Sequence, residues 1–311
     1  MKKNQIIWSE YYDEGGTVDV NIPKKIRDVI YDADGNRKIT PEAIKVLTEY
    51  TNSLPQTKEL NTDPTTGDYT KDRQKLHVSI INDLKDELVC IDNKEPIAIL
   101  MGGSPASGKS TFLRKYAPYL LKDEILKVDA DEIRAKLPEY KGYNATQTHL
   151  ETKDIVNTLL SNKTIGIPCK YDIIYDGTMN NTKSYIPLIE LLKSLGYKIF
   201  IVYIDKVQES IVKERALKRY QKSGRFVPLE VIDDFFTKGK TALNELKDKA
   251  DGYMIIDGSD ANYNIIETGG IKLPKRRLYS KIGQPISKLE ALANGGIVEN
   301  DVPDYLKFLL F

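Results

Sequence analysis

The chain has 311 residues, of which 41% are hydrophobic and 29% are charged, with a formal net charge of +1. These values are typical of a folded globular protein of one or two domains, and the charge favours neither a nucleic-acid binder nor a trap for acidic substrates. Two cysteines and two histidines exclude a disulfide framework and a Cys/His zinc centre as organising features. With no apolar run of membrane-spanning length and no signal-peptide pattern, we expect a cytoplasmic protein.

Residues 1–94 form the first of three predicted parts, a polar and mostly helical N-terminal extension. A Thr-Pro pair opens a predicted helix over 40–54, and an amphipathic helix over 72–88 leads towards the second part. The segment between these helices is rich in Asn, Asp, Pro and Gly, which predicts a loop.

Residues 95–260 alternate strand-like and helix-like segments, and residues 261–311 form a C-terminal extension. The predicted strands cover 97–101, 125–130, 171–177, 198–204 and 253–258, and the predicted helices follow the first strand and cover 145–161, 184–195 and 207–222. We expect Ser184 to cap a helix that carries Pro187 in its first turn, and Gly196 and Gly224 to follow helix C-termini. This alternation predicts a parallel sheet covered by helices on both faces.

The stretch GSPASGKS follows the first predicted strand and fits the phosphate-binding P-loop pattern G-x4-GK-S. Glycines let the backbone turn tightly and approach an anion, and the N–H groups at a helix N-terminus hold phosphate. The lysine reaches the β- and γ-phosphates, and the serine hydroxyl is a Mg²⁺ ligand. The predicted nucleotide-binding residues of this loop are Gly103, Ser104, Pro105, Ala106, Ser107, Gly108, Lys109, Ser110 and Thr111.

Two acids, Asp129 and Asp131, follow the second predicted strand. If both remain extended they point the same way at the carboxyl edge of the sheet, where a carboxylate can take a proton from a substrate hydroxyl. The plainer interpretation is that one of them only caps the following helix. Arg134, one turn further on, is a candidate to hold either a substrate anion or an aspartate.

The third predicted strand ends in the sequence IIYDGT. An acid at the end of an apolar strand next to the P-loop strand suits a position near Mg²⁺, whose preferred ligands are oxygens. Asp176 is therefore the candidate acid for the metal and substrate site. We expect Thr178 to face the acceptor pocket.

Residues 206–225 contain seven Lys or Arg and two acids. Arg215 and Arg219 are four residues apart and so share a helix face, and Arg225 lies in a predicted lid turn, GRFVP. An exposed basic helix is the plainer interpretation. The functional interpretation is a set of arginines that binds nucleotide and stabilises the charge on a transferring phosphoryl group.

In combination, these segments resemble the zeta toxin family of P-loop kinases. The resemblance rests on GGSPASGKST, VDADEIRAKLPEY, YDIIYDGT, LGYKIFIVYI and KERALKRYQKSGRFVP, which occur in this order over 95–230. It implies a nucleoside-kinase-like α/β fold with a five-stranded parallel sheet of order 2-3-1-4-5. It further implies ATP or GTP as donor, Mg²⁺, a hydroxyl of UDP-N-acetylglucosamine or a related nucleotide sugar as acceptor, and an antitoxin protein as a candidate partner.

The resemblance also implies roles for individual residues. Asp131 resembles the catalytic base, and Glu151 is the best match to an acid that contacts the sugar. The chain departs from the family after DGT, where it has Met-Asn-Asn in place of an often basic residue. The predicted catalytic residues are Lys109, Asp131, Arg215 and Arg225; the predicted substrate-binding residues are Arg134, Glu151, Asp176 and Thr178; the predicted metal ligands are Ser110 and Asp176.

Two other functions remain open from the sequence. A polynucleotide 5′-hydroxyl kinase uses the same P-loop, acid and arginines, and residues 268–288, with six Lys or Arg and no acid, could then contact phosphates. The plainer interpretation of that run is a solvated surface. A nucleotide-binding interaction protein is the third possibility, although such a scaffold needs no general base.

Overall fold

The structure, a computed structural model, describes residues 18–85, 88, 96–116, 125–161, 171–259 and 262–270. The chain divides into two compact units. The first unit consists of Met1–Ile81, Ala130–Leu160 and Glu209–Asp233, and the second of Asn82–Asp129, Ser161–Gln208 and Asp234–Phe311. The predicted domain boundaries after residues 94 and 260 stay predictions.

A six-stranded sheet of order β2-β3-β1-β4-β5-β6 forms the centre of the second unit. Its strands are β1 (Ile97–Gly103), β2 (Ile125–Asp129), β3 (Asp172–Asp176), β4 (Lys198–Asp205), β5 (Gly252–Asp257) and β6 (Ile265–Gly270). The first five strands are parallel, which confirms the predicted order, and β6 adds an antiparallel edge strand that was not predicted.

The central strands are apolar because both of their faces are covered. β1 is buried along its full length, and β4 is buried from Ile199 to Ile204, as expected for the middle of a parallel sheet. α5 (Lys109–Tyr116) packs against β1, and α8 (Thr182–Ser194) packs against β4. α10 (Leu229–Lys247) precedes β5 and was not predicted.

The first unit is helical in its described residues. Its helices are α1 (Lys24–Ile30), α2 (Pro41–Ser53), α3 (Thr57–Leu60), α4 (Lys71–Lys85), α6 (Ala130–Ala135), α7 (His149–Ser161) and α9 (Glu209–Ser223). A buried cluster joins the N-terminal segment to the end of α9, since Ile22, Ile30 and Leu47 pack with Tyr220 and Phe226. The N-terminal segment is therefore part of the core of this unit.

The helix termini test the capping predictions directly. Thr40 caps α2 by accepting a hydrogen bond from the Ala43 N–H at 3.2 Å, which confirms the predicted start. The prediction that Ser184 caps α8 is wrong, because Asn181 caps it and Pro187 lies inside the helix. Gly196 has the left-handed φ of 86° that a helix C-terminus favours, as predicted.

The remaining boundaries agree with prediction to within a few residues. α7 starts at His149 rather than at 145, and α9 ends at Ser223, followed by Gly224 with φ 73° and a non-helical segment. Among the described residues, none of the helices is both long and apolar enough to cross a membrane. Residues 271–288 of the basic run lie outside the described residues.

Candidate functional site

The P-loop connects β1 to α5 within the second unit. Its backbone takes positive φ angles at Gly103 (130°), Ala106 (60°) and Gly108 (101°), which turn the chain around the loop. A side chain at position 103 would meet the Ile204 carbonyl oxygen at 2.8 Å, so this position requires glycine. The loop therefore has the tight backbone that a bound phosphate requires.

The polar groups of the loop fit a phosphate ligand. The Lys109 ammonium donates to the carbonyl oxygens of Gly103 (2.9 Å) and Ser104 (3.0 Å), so it lies across the loop. The Ser107 hydroxyl is buried and has no hydrogen-bond partner among the described residues. An anion held by the loop would give the Ser107 hydroxyl an acceptor and would offer Lys109 oxygens that can replace the two carbonyl groups.

Tyr263 is a loop neighbour that sequence reasoning missed. Its hydroxyl donates to the Gly108 carbonyl oxygen at 3.4 Å, and its ring lies 5.7 Å from that of Phe112. A Cβ at position 108 would lie 2.6 Å from the Tyr263 oxygen. The residue follows β5 by several positions, and no local pattern connects it to the loop.

Asp176 ends β3 opposite Met101 of β1 on one side and Asp129 of β2 on the other. Burial, and to a lesser extent the charge of Asp129, raise the pKa of Asp176 to about 6, against the opposing effect of Lys109 and Lys127. A carboxylate that is costly to ionise in the free protein is well suited to accept a cation. Its carboxylate and the Ser110 hydroxyl are both hard oxygen ligands of the kind that Mg²⁺ prefers, so their chemistry is compatible with the predicted metal site, which stays a prediction.

The raised pKa of Asp176 predicts a gain in stability when this charge is removed. Because the folded-state pKa lies above the unfolded value of 3.8, stability is lost as the pH rises from about 3.8 to about 6, and the loss is complete above pH 6. Asp176→Asn should therefore stabilise the nucleotide-free protein above pH 6 by at most ~3 kcal/mol, and little near pH 4. Thermal unfolding at both pH values measures this.

The matched control for that variant is Asp205→Asn at the end of β4. Asp176→Asn should also lose the extra stabilisation that Mg²⁺ adds to bound nucleotide, whereas Asp205→Asn should keep it. The assignment is supported if nucleotide stabilises Asp176→Asn equally with and without Mg²⁺, while Mg²⁺ adds its normal stabilisation to the nucleotide-bound wild type. A full Mg²⁺ effect in the variant contradicts it.

The segment after β3 runs beside the start of the P-loop. The Gly177 N–H donates to the Met101 carbonyl oxygen, and the Gly103 N–H donates to the Thr178 carbonyl oxygen, both at 3.2 Å. The Thr178 hydroxyl donates to the Asn180 side-chain oxygen at 2.9 Å. The predicted contact of Thr178 with an acceptor stays a prediction.

Met179 explains part of the departure from the family pattern. Its side chain is fully buried, and a Cβ at Gly102 would lie 2.4 Å from its sulfur, so it fills space beside the P-loop strand. Its N–H donates to the Tyr185 hydroxyl at 3.3 Å. Met179 is therefore a packing residue.

Asp131 lies in the first turn of α6, in the first unit, and forms ion pairs with Arg134 and Arg225. The helix begins at Ala130, so Asp129 and Asp131 are not extended together as one interpretation of the sequence required. Arg134 is buried. The sequence predicted that it would hold either a substrate anion or an aspartate, and in the structure it pairs with Asp131. The candidate base thus lies between two guanidinium groups.

The three predicted arginines of the basic segment have different surroundings. Arg225 follows Gly224 in the segment after α9 and reaches Asp131. Arg215 is exposed on α9, and Arg219 is half-buried on the same helix. The structure therefore pairs Arg225 with the candidate base, and the phosphate contacts of all three arginines stay predictions.

Glu151 has no exposed surface, and a network from α4 surrounds it. The Arg73 guanidinium donates to its two oxygens at 2.5 and 2.8 Å, and His77 Nε2 lies 2.6 Å from one of them. Burial favours a raised pKa for Glu151, but the hydrogen bonds from Arg73 and His77 outweigh it and hold the pKa at about 2. A direct sugar contact would require release of these partners, and it stays a prediction.

Removing Arg73 alone is expected to destabilise the protein by about 3–5 kcal/mol, because it leaves the buried Glu151 carboxylate without the guanidinium group that pairs with both of its oxygens. Arg73→Met should show this loss in chemical unfolding, and Arg73→Met/Glu151→Met should recover much of it. The contribution of Glu151 is present above the unfolded pKa of 4.5 and is lost as the pH falls towards 2. If Arg73→Met lowered the free energy of unfolding by the same amount at neutral pH and below pH 3, the ion pair could not be the cause of the loss.

Sequence reasoning missed Arg73 and His77. They are four residues apart on a predicted helix and so share one face, which was the only local signal in the sequence that could connect them.

Among the described residues, there is no group of three or more His, Cys, Asp or Glu side chains that could hold a metal ion without a substrate. This is compatible with P-loop Mg²⁺ sites, which use one or two protein ligands together with substrate phosphates.

Comparison with known proteins identifies the family to which the sequence is similar. The family model described as Zeta toxin matches residues 82–266. Toxin PezT of Streptococcus pneumoniae serotype 4 is 26% identical over 117 residues, which covers 36% of this chain and 46% of that protein. The match therefore spans about half the length of this curated relative.

Two solved structures share the fold. One, from the PezAT chromosomal toxin-antitoxin system of Streptococcus pneumoniae, has a TM-score of 0.51 and 20% identity, and the match covers 74% of this chain and 95% of that chain. The other, the AvrRxo1-ORF1:AvrRxo1-ORF2 complex with sulphate ions, has a TM-score of 0.50 and 17% identity, with 90% and 91% covered.

A strand, a G-x4-GK-S loop and a helix, in a sheet whose parallel strands have the order 2-3-1-4-5, define the class of P-loop nucleotide-binding proteins. Because the family model covers more than half of the sequence, the chain belongs to the zeta toxin family of P-loop kinases.

Proposed function

We propose that this protein transfers the γ-phosphate of ATP or GTP to a hydroxyl group of a small acceptor, and that the acceptor is a nucleotide sugar such as UDP-N-acetylglucosamine. Membership of the zeta toxin family supports the reaction type. The acceptor follows from the motif resemblance. The alternative of a polynucleotide kinase uses the same P-loop, acid and arginines, and the basic run that could contact its substrate lies mostly outside the described residues.

The P-loop is the proposed donor site. Its N–H groups and Lys109 hold the β- and γ-phosphates, with Lys109 exchanging the carbonyl oxygens of Gly103 and Ser104 for phosphate oxygens. Ser110 and Asp176 are the proposed protein ligands of Mg²⁺, which when bound neutralises phosphate charge. Arg215 and Arg219 are proposed to add positive charge on the donor side.

Asp131 is the proposed general base. Its carboxylate takes the proton of the acceptor hydroxyl as the acceptor oxygen forms a bond to the γ-phosphorus. The bond from that phosphorus to the β–γ bridging oxygen breaks, and the nucleoside diphosphate leaves with the electron pair. Arg225, which pairs with Asp131 in the free protein, is proposed to exchange this partner for the γ-phosphate and so to release the base.

The observation that carries this proposal is the Asp131–Arg225 ion pair in a chain that also has a P-loop lysine. A nucleotide-binding scaffold has no use for a carboxylate poised with an arginine, whereas phosphoryl transfer to a hydroxyl uses both. Arg134, which also pairs with Asp131, is proposed to fix its orientation. Thr178 is proposed to lie on the acceptor side.

The experiment that tests the proposal is incubation of the purified protein with γ-labelled ATP or GTP and a panel of acceptors. The panel contains nucleotide sugars, nucleosides and oligonucleotides with 5′-hydroxyl ends. Labelled nucleotide sugar is the expected product. Labelled oligonucleotide would favour the polynucleotide kinase, and nucleotide binding without transfer to any acceptor would contradict a kinase.

An antitoxin protein is a further proposed partner. The name of the curated relative, Toxin PezT, and the toxin-antitoxin system of one structural neighbour support it. If the protein is a toxin, its expression should arrest growth, and Asp131→Asn should relieve the arrest.

A further inference from the structure

A buried ionic network runs through the first unit and ends on one partly exposed carboxylate. Arg73 of α4 contacts Glu151 on one side, as described above, and on the other it donates to both oxygens of Glu139 at 2.9 and 2.8 Å. The side chains of Arg73, Glu151 and Glu139 are 6%, 0% and 32% exposed. Glu139 is therefore the member of this network that an external ligand can reach.

The network holds Glu139 in a defined position. The paired Arg73 guanidinium spans two carboxylates, a planar geometry that lysine cannot reproduce. The backbone at this position is also held, because the buried Asn144 side chain donates to the Glu139 carbonyl oxygen at 2.8 Å and accepts from the Lys141 N–H at 2.7 Å. A carboxylate fixed through both its side chain and its backbone is preorganised for binding.

Glu139 lies in the same neighbourhood as the candidate base. Its segment follows α6, which carries Asp131, and continues to Gly142. The Gly142 carbonyl oxygen accepts from the Phe226 N–H at 3.2 Å, and the preceding residue, Arg225, pairs with Asp131. Glu139, the base and this arginine therefore belong to adjoining segments of one unit.

We propose that Glu139 is a specificity-determining residue that accepts hydrogen bonds from hydroxyl groups of the acceptor's sugar, and that Arg73 is its positioning residue. Each carboxylate oxygen bonded to Arg73 retains a lone pair that can accept from a hydroxyl. This inference rests on the proposed function, because it requires an acceptor that carries hydroxyl groups. It assigns to the exposed end of the network the sugar contact that the sequence predicted for Glu151.

Calorimetric titration tests this assignment with UDP-N-acetylglucosamine as the probe and ATP as the reference ligand. Glu139→Gln should weaken binding of the sugar nucleotide about 10- to 100-fold and leave ATP binding unchanged, since it removes a charged acceptor but keeps the shape. Arg73→Lys, which retains the positive charge, should have the same effect on the probe. Glu42→Gln, an exposed glutamate in the first turn of α2, is the matched control and should bind both ligands normally.

Binding is measured without turnover, so the outcomes separate this inference from the proposed function. Equal binding of the probe by the wild type and Glu139→Gln overturns the role of Glu139 alone, whereas absence of binding to the wild type overturns it together with the proposed acceptor. A specific loss of probe binding in Glu139→Gln supports it even if no phosphate is transferred, a result that would count against the kinase reaction alone.

Discussion

Replacing Asp131 with asparagine is expected to slow phosphate transfer roughly 10²- to 10⁴-fold, the usual contribution of a general base. Asparagine keeps the size of the side chain but cannot take the proton of the acceptor hydroxyl. Nucleotide affinity should be unchanged, because the donor phosphates are assigned to the P-loop between β1 and α5. Single-turnover transfer and equilibrium binding of nucleotide, measured on the same sample, separate the two effects.

Glu132→Gln is the matched control for this variant. Glu132 is the next residue in the first turn of α6, so the variant removes the same charge from the same turn. It should transfer phosphate at close to the wild-type rate. Asp131 also pairs with the buried Arg134, so the folded state of Asp131→Asn must be verified by thermal unfolding. Wild-type turnover in a folded Asp131→Asn protein would remove this residue as the base.

Arg225→Gln is expected to lower the rate of transfer by about 10³- to 10⁵-fold, as loss of an arginine that stabilises a transferring phosphoryl group does in related chemistry. The larger effect is expected because the variant removes charge from the transition state, whereas Asp131→Asn impairs one proton transfer. Nucleotide binding should weaken far less than the rate falls. Pre-steady-state measurement of phosphate transfer at saturating nucleotide gives the comparison.

Two further variants show whether the guanidinium itself acts. Lys218→Gln changes a cation on α9 whose side chain is 68% exposed, and it should leave the rate unaltered. Arg225→Ala should recover part of its activity when guanidinium ion is added at low concentration, because the ion can occupy the vacated space. A fall of less than tenfold in Arg225→Gln, together with no rescue, would show that Arg225 pairs with Asp131 for structural reasons only.

The parallel part of the fold could be predicted because each strand carries its own signal. The strands are short apolar runs covered on both faces, and β1 shows this along its whole length. β6 lacks such a signal, since its residues are mostly exposed at the sheet edge and it contains two glycines. α10 was missed although Ile232, Phe235, Leu243 and Leu246 are spaced as on one helix face.

The candidate site likewise contains some residues that a local sequence motif predicts and others that it does not. The P-loop, Asp131 and Asp176 occur in contiguous motifs whose residue types imply their chemistry. The contact between Arg73 and Glu151 joins positions 78 residues apart, so no local pattern could reveal it. Sequence reasoning accordingly assigned Glu151 to the sugar without its buried partners. The helical start at Ala130 likewise decided between the two arrangements of Asp129 and Asp131 that the sequence had left open.

The measurement that tests the central claim most directly is a phosphorus NMR time course of the wild-type protein with ATP, Mg²⁺ and UDP-N-acetylglucosamine. It follows every phosphate in the mixture and so distinguishes transfer to a hydroxyl from transfer to water. We expect a new phosphomonoester signal that grows in step with ADP and that grows at least about 100-fold more slowly with Asp131→Asn. ADP and inorganic phosphate as the only products, or ATP that stays intact, would contradict the account.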